Sequence, residues 1–120
     1  MKSLLSIVQF LFQFFPRLSI DRLRLEATVL REFFPSFKIK LLRKGKIIVT
    51  GTIANGNDIR DILIAIPYSY PFQKPKLYMR PEPKHHVWPD GSVCLLMSWS
   101  GKNTISQLVV KAAELMKRER

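Results

Sequence analysis

The spacing of the hydrophobic residues changes at Pro35, from a helical period before it to strand-like alternation after it. Apolar residues before this point recur at four, three and four residues, which predicts an amphipathic helix of about four turns. Ser19 is placed to cap this helix, Asp21 lies in its first turn and Pro35 should end it. The recurring positions are Leu23, Ala27, Leu30 and Phe34.

An earlier apolar run occupies residues 4–15, and its polar members Ser6, Gln9 and Gln13 fall on one narrow helical stripe. Twelve helical residues span roughly 18 Å, which is too short for a hydrocarbon core about 30 Å thick. No small-residue cleavage site follows, so a signal peptide is disfavoured. Residues 1–16 therefore form a helical extension that packs on residues 17–120, mediates self-association or contacts a membrane surface.

The second half of the pattern predicts an antiparallel sheet. Alternation from Phe37 to Leu41 indicates a first strand, residues 43–46 a turn, and Asn55-Gly56-Asn57-Asp58 a hairpin. No crossover helix separates the strands, so we expect an α+β protein with a four-stranded antiparallel meander. The remaining predicted strands are Ile47–Ile53, Ile62–Ile66 and Lys76–Met79.

About 20 residues after Pro81 show no regular pattern, and a final helix follows them. A loop of this length in a small domain is usually functional or disordered, and its apolar residues favour a packed loop. Thr104 and Gln107 have the spacing of a capping box. The apolar residues of the loop are Trp88, Val93, Leu95, Leu96 and Trp99. The predicted buried face of the helix is Ile105, Leu108, Val109, Ala112, Leu115 and Met116.

Composition limits the class of protein. A chain of 120 residues is one domain, and a single cysteine gives no disulfide, which favours a reducing cytoplasm. Two adjacent histidines and one cysteine are too few ligands for a closed zinc site. The net charge is +11, and residues 17–46 contribute an excess of six positive charges. This basic segment is a solvated face or a contact for nucleic acid, anionic lipid or an acidic protein.

The candidate chemistry centres on Cys94, which lies in an apolar run just after a Pro-Asp-Gly turn. His85 and His86 stand nine and eight residues upstream, close enough for the chain to fold back over the sulfur. A lone thiol is either a small buried apolar residue or a nucleophile. The residues alone leave both interpretations open.

Three local motifs follow one another along the chain: Tyr70–Leu77, Gly91–Leu95, and Trp99 with Thr104-Ile105. In this order they resemble motifs of the ubiquitin-conjugating enzyme (UBC) family. Tyr70-Pro71-Phe72-Gln73-Lys74-Pro75-Lys76-Leu77 is similar to the family's Tyr-Pro-Phe-x-Pro-Pro-x-Val, with Lys74 replacing the first proline of the pair. Gly91-Ser92-Val93-Cys94-Leu95 is similar to its Gly-x-Ile-Cys-Leu around the active thiol. Trp99 followed by Thr104-Ile105 is similar to its Trp and Thr-Ile before the next helix. The resemblance covers roughly residues 20–118 and implies a UBC-like fold: N-terminal helix, meander, long active-site loop and C-terminal helix.

The departures point to one branch of that family. The family's His-Pro-Asn would fall on Lys84-His85-His86, so His86 stands at the asparagine position. The spacing from Cys94 to Trp99 is short, and the later helices of eukaryotic members, with an acidic residue that orients the attacking lysine, have no counterpart. This trimmed form is similar to the bacterial and archaeal branch, which occurs in ubiquitin-like modification or anti-phage nucleotidyltransferase operons.

The resemblance implies a cytoplasmic acyl transferase. Cys94 would accept a ubiquitin-like protein, or another tagged protein such as a bacterial nucleotidyltransferase, as a thioester and pass it to an amine or thiol. His86, or alternatively His85, would stabilise the oxyanion, accept a proton from the amine or brace the loop. No cofactor or metal is implied for the chain itself, because the partner activating enzyme uses the ATP.

The resemblance also assigns supporting and docking residues. Trp99 and Trp88 should anchor the loop, Pro71 and Pro75 should fix the backbone, and Asp90 should build the turn rather than orient an acceptor lysine. Arg22, Arg24 and Arg31 on the first helix would meet the activating enzyme.

Two rival interpretations remain. One is a non-catalytic UBC-fold binding or scaffold module. The other is a basic nucleic-acid or membrane adaptor; nucleic acid is disfavoured because the aromatic residues are not interleaved with the basic ones.

Overall fold

A computed structural model describes residues 20–119 of the chain. The predicted extension at residues 1–16 lies outside the described residues, as does the proposed cap Ser19. The elements in chain order are α1 (Ile20–Phe33), β1 (Lys38–Leu41), a 3-10 turn (Arg43–Gly45), β2 (Ile47–Asn55), β3 (Asp58–Ile66), β4 (Lys76–Arg80) and α2 (Ile105–Arg118).

The four strands form one antiparallel sheet in the order β1-β2-β3-β4, which confirms the predicted meander. Val49 of β2 pairs with Ile64 of β3, and Ile64 pairs with Leu77 of β4, so one row of buried apolar residues crosses the sheet. The hairpin between β2 and β3 is confirmed, with Gly56 at a φ of 64° that favours glycine.

The β2–β3 hairpin is longer than the hydrophobic pattern predicts. β3 begins at Asp58 instead of Ile62, because Asn55 pairs with Asp58 and Ile53 pairs with Arg60. Polar side chains obscure this part of the pattern. The backbone pairing that starts at the tight turn nevertheless extends both strands to the loop.

The buried face of the sheet packs against the two helices to form a single core among the described residues. All six residues predicted for the apolar face of α2 are buried, as are Leu23 and Leu30 of α1. Each of the larger side chains contributes about 1.5–3 kcal/mol of hydrophobic stabilisation. Neither of the two described helices is long and apolar enough to cross a membrane.

The capping box at the start of α2 is confirmed. The Thr104 hydroxyl oxygen accepts a hydrogen bond from the Gln107 backbone N–H at 3.2 Å, and the Thr104 N–H donates to Gln107 Oε1 at 3.0 Å. This box fixes where the irregular segment after β4 ends and α2 begins, so it also fixes the far end of the loop that carries Cys94.

Candidate functional site

The segment before Cys94 is a short hairpin-like turn built by the Pro-Asp-Gly sequence. The Gly91 N–H donates to the Trp88 carbonyl at 2.8 Å, the Trp88 N–H donates to the Ser92 carbonyl at 2.8 Å, and Val87 bridges Val93. Gly91 has a φ of 89°, a conformation that glycine adopts at no steric cost. The turn reverses the chain and brings the histidine segment back beside the cysteine.

Asp90 stabilises this turn. Its Oδ1 accepts hydrogen bonds from the Ser92 N–H at 2.9 Å and the Ser92 hydroxyl at 2.6 Å, and its Oδ2 lies 2.7 Å from Lys76 Nζ. These bonds, first from Lys76 and then from Ser92, hold the pKa of the Asp90 carboxyl well below its usual range. The carboxylate is already paired with a lysine of β4, as expected for a residue that builds the turn.

Cys94 is half-buried, between the buried side chains of Val93 and Leu95. Its backbone N–H donates to the His86 carbonyl at 2.6 Å, and the Val93 N–H donates to the Leu77 carbonyl of β4 at 2.7 Å. The thiol therefore stands on a backbone fixed on both sides, by the sheet and by the histidine segment. Partial exposure of the residue meets the access that a nucleophilic thiol requires.

His86 contacts the cysteine through its backbone. Both histidines are exposed, and His86 has a φ of 66°, in the left-handed region where asparagine, aspartate and histidine are enriched among non-glycine residues. The expected fold-back of the chain is thus present as a hydrogen bond from Cys94 to the His86 carbonyl. The catalytic roles of the His86 and His85 imidazoles stay predictions.

The far side of the loop is anchored by Trp99. Its Nε1–H donates to the Pro71 carbonyl at 2.8 Å, and its ring lies 6.1 Å from the ring of Tyr70. Pro71 and Pro75 are both buried. These contacts tie the loop to the proline-rich turn that precedes β4, as predicted for Trp99.

Two expectations about the loop packing are wrong. Trp88 is 56% exposed and Leu96 is 59% exposed, whereas Val93 and Leu95 are buried. Trp88 contributes its backbone to the turn, and its indole extends toward solvent. Only alternate residues of the Val93–Leu96 segment can face the core in an extended chain, so Leu96 is directed outward with Cys94.

Two lysines contact the loop that carries Cys94. Lys74 Nζ donates to the Leu95 carbonyl at 3.3 Å, and Lys76 Nζ is paired with Asp90. Lys74 occupies the position where the resemblance expects a proline, and this departure is the sequence signal for a lysine at the site. The ion pair with Asp90 raises the pKa of the Lys76 ammonium.

Arg22 makes contacts within the fold, and its docking role stays a prediction. Its Nε pairs with Glu26 at 3.2 Å, and its two terminal nitrogens donate to the carbonyls of Gly101 and Asn103. Its guanidinium also lies 5.6 Å above the Tyr70 ring. This arginine joins α1 to the end of the Cys94 loop. Arg24 and Arg31 are exposed and remain available for a partner.

Glu26 is the buried partner of these groups. Glu26 Oε1 accepts from the Ile105 N–H at 2.6 Å, at the start of α2, and Oε2 accepts from the Tyr70 hydroxyl and from Arg22. Burial, and then the hydrogen bond to Glu26, raise the pKa of the Tyr70 phenol far above its ordinary value. The sequence signal for this buried role is the position of Glu26, three residues after Leu23 and within the apolar face of the helix.

No group of three or more His, Cys, Asp or Glu residues in the described chain is arranged to hold a metal ion. An open groove of about 890 Å³ lies on the solvent side of the sheet, and Thr50, Leu63 and Tyr78 are among its lining residues. Cys94 does not line this groove.

The order of elements, the meander and the loop define a protein of the UBC-like fold, and a solved structure supports this class. The chain is similar to one in "A complex of the Vps23 UEV with ubiquitin", with a TM-score of 0.66, 16% sequence identity, and coverage of 93% of this chain and 94% of that chain. Searches with the sequence against protein-family models and curated proteins find no match. At 16% identity, the comparison establishes the fold alone.

Proposed function

We propose that this protein is a ubiquitin-conjugating-type carrier of the prokaryotic branch, with Cys94 as the thiol that holds a ubiquitin-like or other tagged protein. The observation that carries the proposal is the setting of Cys94. A partly exposed thiol stands on a backbone held by β4 and by the His86 carbonyl, in a loop anchored by Trp99.

The first step is transthiolation from the activating enzyme. The Cys94 thiolate attacks the carbonyl of the donor thioester, the new C–S bond forms, and the activating enzyme leaves as a thiolate. An ordinary thiol is a few per cent ionised at neutral pH, which is sufficient because the donor is already activated. ATP is consumed by the activating enzyme, so this chain needs no cofactor of its own.

The second step is attack by an amine or thiol of the acceptor. The tetrahedral intermediate carries an oxyanion, which an N–H donor close to the sulfur stabilises. His86 is the candidate for this role, and its imidazole is also able to accept the proton of an attacking amine. Asp90 acts on this step through the turn that positions Cys94.

Charging of Cys94 is the first prediction. The protein is mixed with ATP and with the activating enzyme and ubiquitin-like protein of its own genomic neighbourhood, then run on a gel with and without reductant. We expect an adduct that reductant removes. The adduct should be absent from Cys94→Ala and resistant to reductant in Cys94→Ser, because an oxygen ester replaces the thioester.

The rate of transfer from charged Cys94 to free lysine distinguishes the role of His86 from that of His85. His86→Ala should slow transfer to free lysine by about 10²-fold, the usual effect of losing one oxyanion donor, while His86→Asn retains an N–H donor and most of the rate. His85→Ala is the matched control. Failure to charge with partners shown to be active would rule out the carrier function.

The second candidate is a non-catalytic binding module of the same fold. It is favoured by the similarity to the Vps23 UEV, whose structure was solved in complex with ubiquitin. In this case Cys94→Ala would bind the ubiquitin-like protein with unchanged affinity, measured by calorimetry, and no thioester would form. The half-buried Cys94 would then have no chemical role.

A further inference from the structure

Glu119, the first residue after α2, carries a buried carboxylate that contacts the segment before the histidines. Its side chain is 8% exposed, and its Oε2 accepts a hydrogen bond from the Lys84 backbone N–H at 2.9 Å. Lys84 directly precedes His85 and His86 in the sequence. A buried carboxylate needs partners that compensate for its lost hydration, and this one takes a partner from the segment that leads to Cys94.

Arg60 stabilises this carboxylate from the other side. Its Nη1 lies 3.9 Å from Glu119 Oε1, while its Nε and Nη2 donate to the Asp58 carboxylate at 3.0 and 3.2 Å. Oε1 is buried and has no hydrogen-bond partner among the described residues, so the guanidinium charge compensates for its burial. The β2–β3 hairpin therefore fixes the position of the Glu119 carboxylate, and the hydrogen bond ties the Lys84 backbone to it.

The segment from Lys84 to His86 is thus held at both of its ends. Glu119 accepts the Lys84 N–H at one end, and the His86 carbonyl accepts the Cys94 N–H at 2.6 Å at the other. His86 has a φ of 66°, a sparsely populated conformation for a non-glycine residue, which persists only where the surrounding structure holds it. The contact between Glu119 and Lys84 is one of the contacts that hold it.

We infer that Glu119 is a positioning residue for the transfer step, because its hydrogen bond to the Lys84 N–H sets where His86 lies relative to Cys94. This inference rests on the proposed carrier function, in which His86 is the candidate donor to the oxyanion. The Glu119 carboxylate contacts the backbone two residues before His86, so it acts through that residue. In the proposed mechanism His86 acts at the transfer step, and loss of the contact should therefore slow transfer more than charging.

The positioning itself is tested without a partner protein, by amide hydrogen exchange of the whole chain followed by NMR. In Glu119→Ala we expect the Lys84 and Cys94 N–H groups to gain at least about 10-fold in exchange rate relative to the N–H of Ile64 in the sheet. A role in global stability alone would raise all three rates by the same factor. Glu119→Gln keeps an oxygen that can accept the Lys84 N–H, and it should restore slow exchange at both positions.

The effect on transfer is measured with protein charged at Cys94. Glu119→Ala should slow transfer to free lysine by about 10-fold, since small displacements of a reacting group reduce rates strongly, while the rate of charging stays close to that of the unaltered protein. Glu119→Gln should recover most of the transfer rate. Glu114→Ala changes the net charge equally at an exposed position of α2, and as the matched control it should leave both rates unchanged.

Three results would overturn the inference. The exchange rates of Ile64, Lys84 and Cys94 rise equally in Glu119→Ala, Glu119→Gln transfers no faster than Glu119→Ala, or Glu119→Ala slows transfer no more than Glu114→Ala. Failure of the carrier proposal looks different. If active partners do not charge Cys94 in the unaltered protein, the carrier function and the transfer role are both overturned, and the exchange rates alone show whether Glu119 holds the histidine segment.

Discussion

Glu26 links three parts of the molecule that are far apart in sequence. Its carboxylate accepts hydrogen bonds from Arg22 on its own helix, from Tyr70 before β4 and from the N–H of Ile105 at the start of α2. The negative charge also lies at the N-terminus of α2, where the helix dipole favours it. A buried charge with this many partners is stabilised in place, and removal of the charge leaves those partners unpaired.

Substitution of Glu26 by glutamine is expected to destabilise the fold. Glu26→Gln keeps the shape but loses the charge that Arg22 and the helix terminus stabilise, so we expect a loss of about 3 kcal/mol in the free energy of unfolding. Urea denaturation measures it. Glu32→Gln, on an exposed position of the same helix, is the control and should change the free energy by less than about 0.5 kcal/mol. Equal effects of the two variants would contradict this role of Glu26.

The candidate site was only partly predictable at the level of single residues. The Pro-Asp-Gly turn and the anchoring role of Trp99 follow from local chemistry, since a turn residue and a large aromatic residue act largely through their neighbours. The exposure of Trp88 and the internal contacts of Arg22 were not predicted. The direction of a long side chain depends on which carbonyls and rings come near it, and Gly101 and Asn103 are brought to Arg22 only by the fold.

At the level of elements, the packing at the centre of β2 requires glycine at position 51, because there is no room for a side chain there. A Cβ at this position would overlap the ring of Phe37, which lies just before β1 and is fully buried. The contact is with a large ring enclosed by the core, so the ring has no free space to move into. Gly51 therefore allows the connection between α1 and β1 to cover the sheet.

Gly51→Ala should lower the free energy of unfolding by about 2 kcal/mol, the typical effect of overpacking a core. Equilibrium denaturation measures it. In the double variant Gly51→Ala/Phe37→Leu the smaller side chain makes room for the new methyl group, so the two effects should be less than additive. Strict additivity of the two single effects would show that the methyl group and the Phe37 ring do not compete for the same space.

At the scale of the whole molecule, some basic side chains form contacts within the fold, and others are exposed. Arg22 acts within the fold, and Arg60 pairs with Asp58 and lies 3.9 Å from Glu119, whose other oxygen accepts the Lys84 N–H before the histidines. Arg24 and Arg31 are exposed on α1 and remain candidates for docking the activating enzyme. The exposed part of the predicted docking surface therefore consists of Arg24 and Arg31.

Charge reversal on this docking surface is expected to slow charging. Arg24→Glu/Arg31→Glu should reduce the initial rate of thioester formation by about 10-fold at low salt, with a smaller effect at high salt, because exposed charges act mainly on association rate. Lys117→Glu/Arg118→Glu on α2 changes the net charge equally and is the matched control. Equal rates for the two double variants would exclude a specific contact through α1.

The sequence by itself determined the order of elements, the meander, the capping box of α2 and its buried face. These features depend on periodicity and on neighbours within a few residues, which the sequence contains directly. It also singled out Cys94 and the histidines through their spacing and their motifs. The lengths of the β2–β3 hairpin strands, by contrast, were settled by backbone pairing that polar side chains do not reveal.

Only the tertiary structure decided which groups meet. In the fold, the Glu26 carboxylate accepts hydrogen bonds from Tyr70 and from the start of α2. Arg22 donates to two carbonyls at the end of the Cys94 loop, and Lys74 donates to the carbonyl of Leu95. Each of these contacts joins residues between 21 and 81 positions apart. Such contacts form because burial of the apolar faces draws the segments together, and a polar group drawn into the core must find its partner among whatever the fold brings beside it.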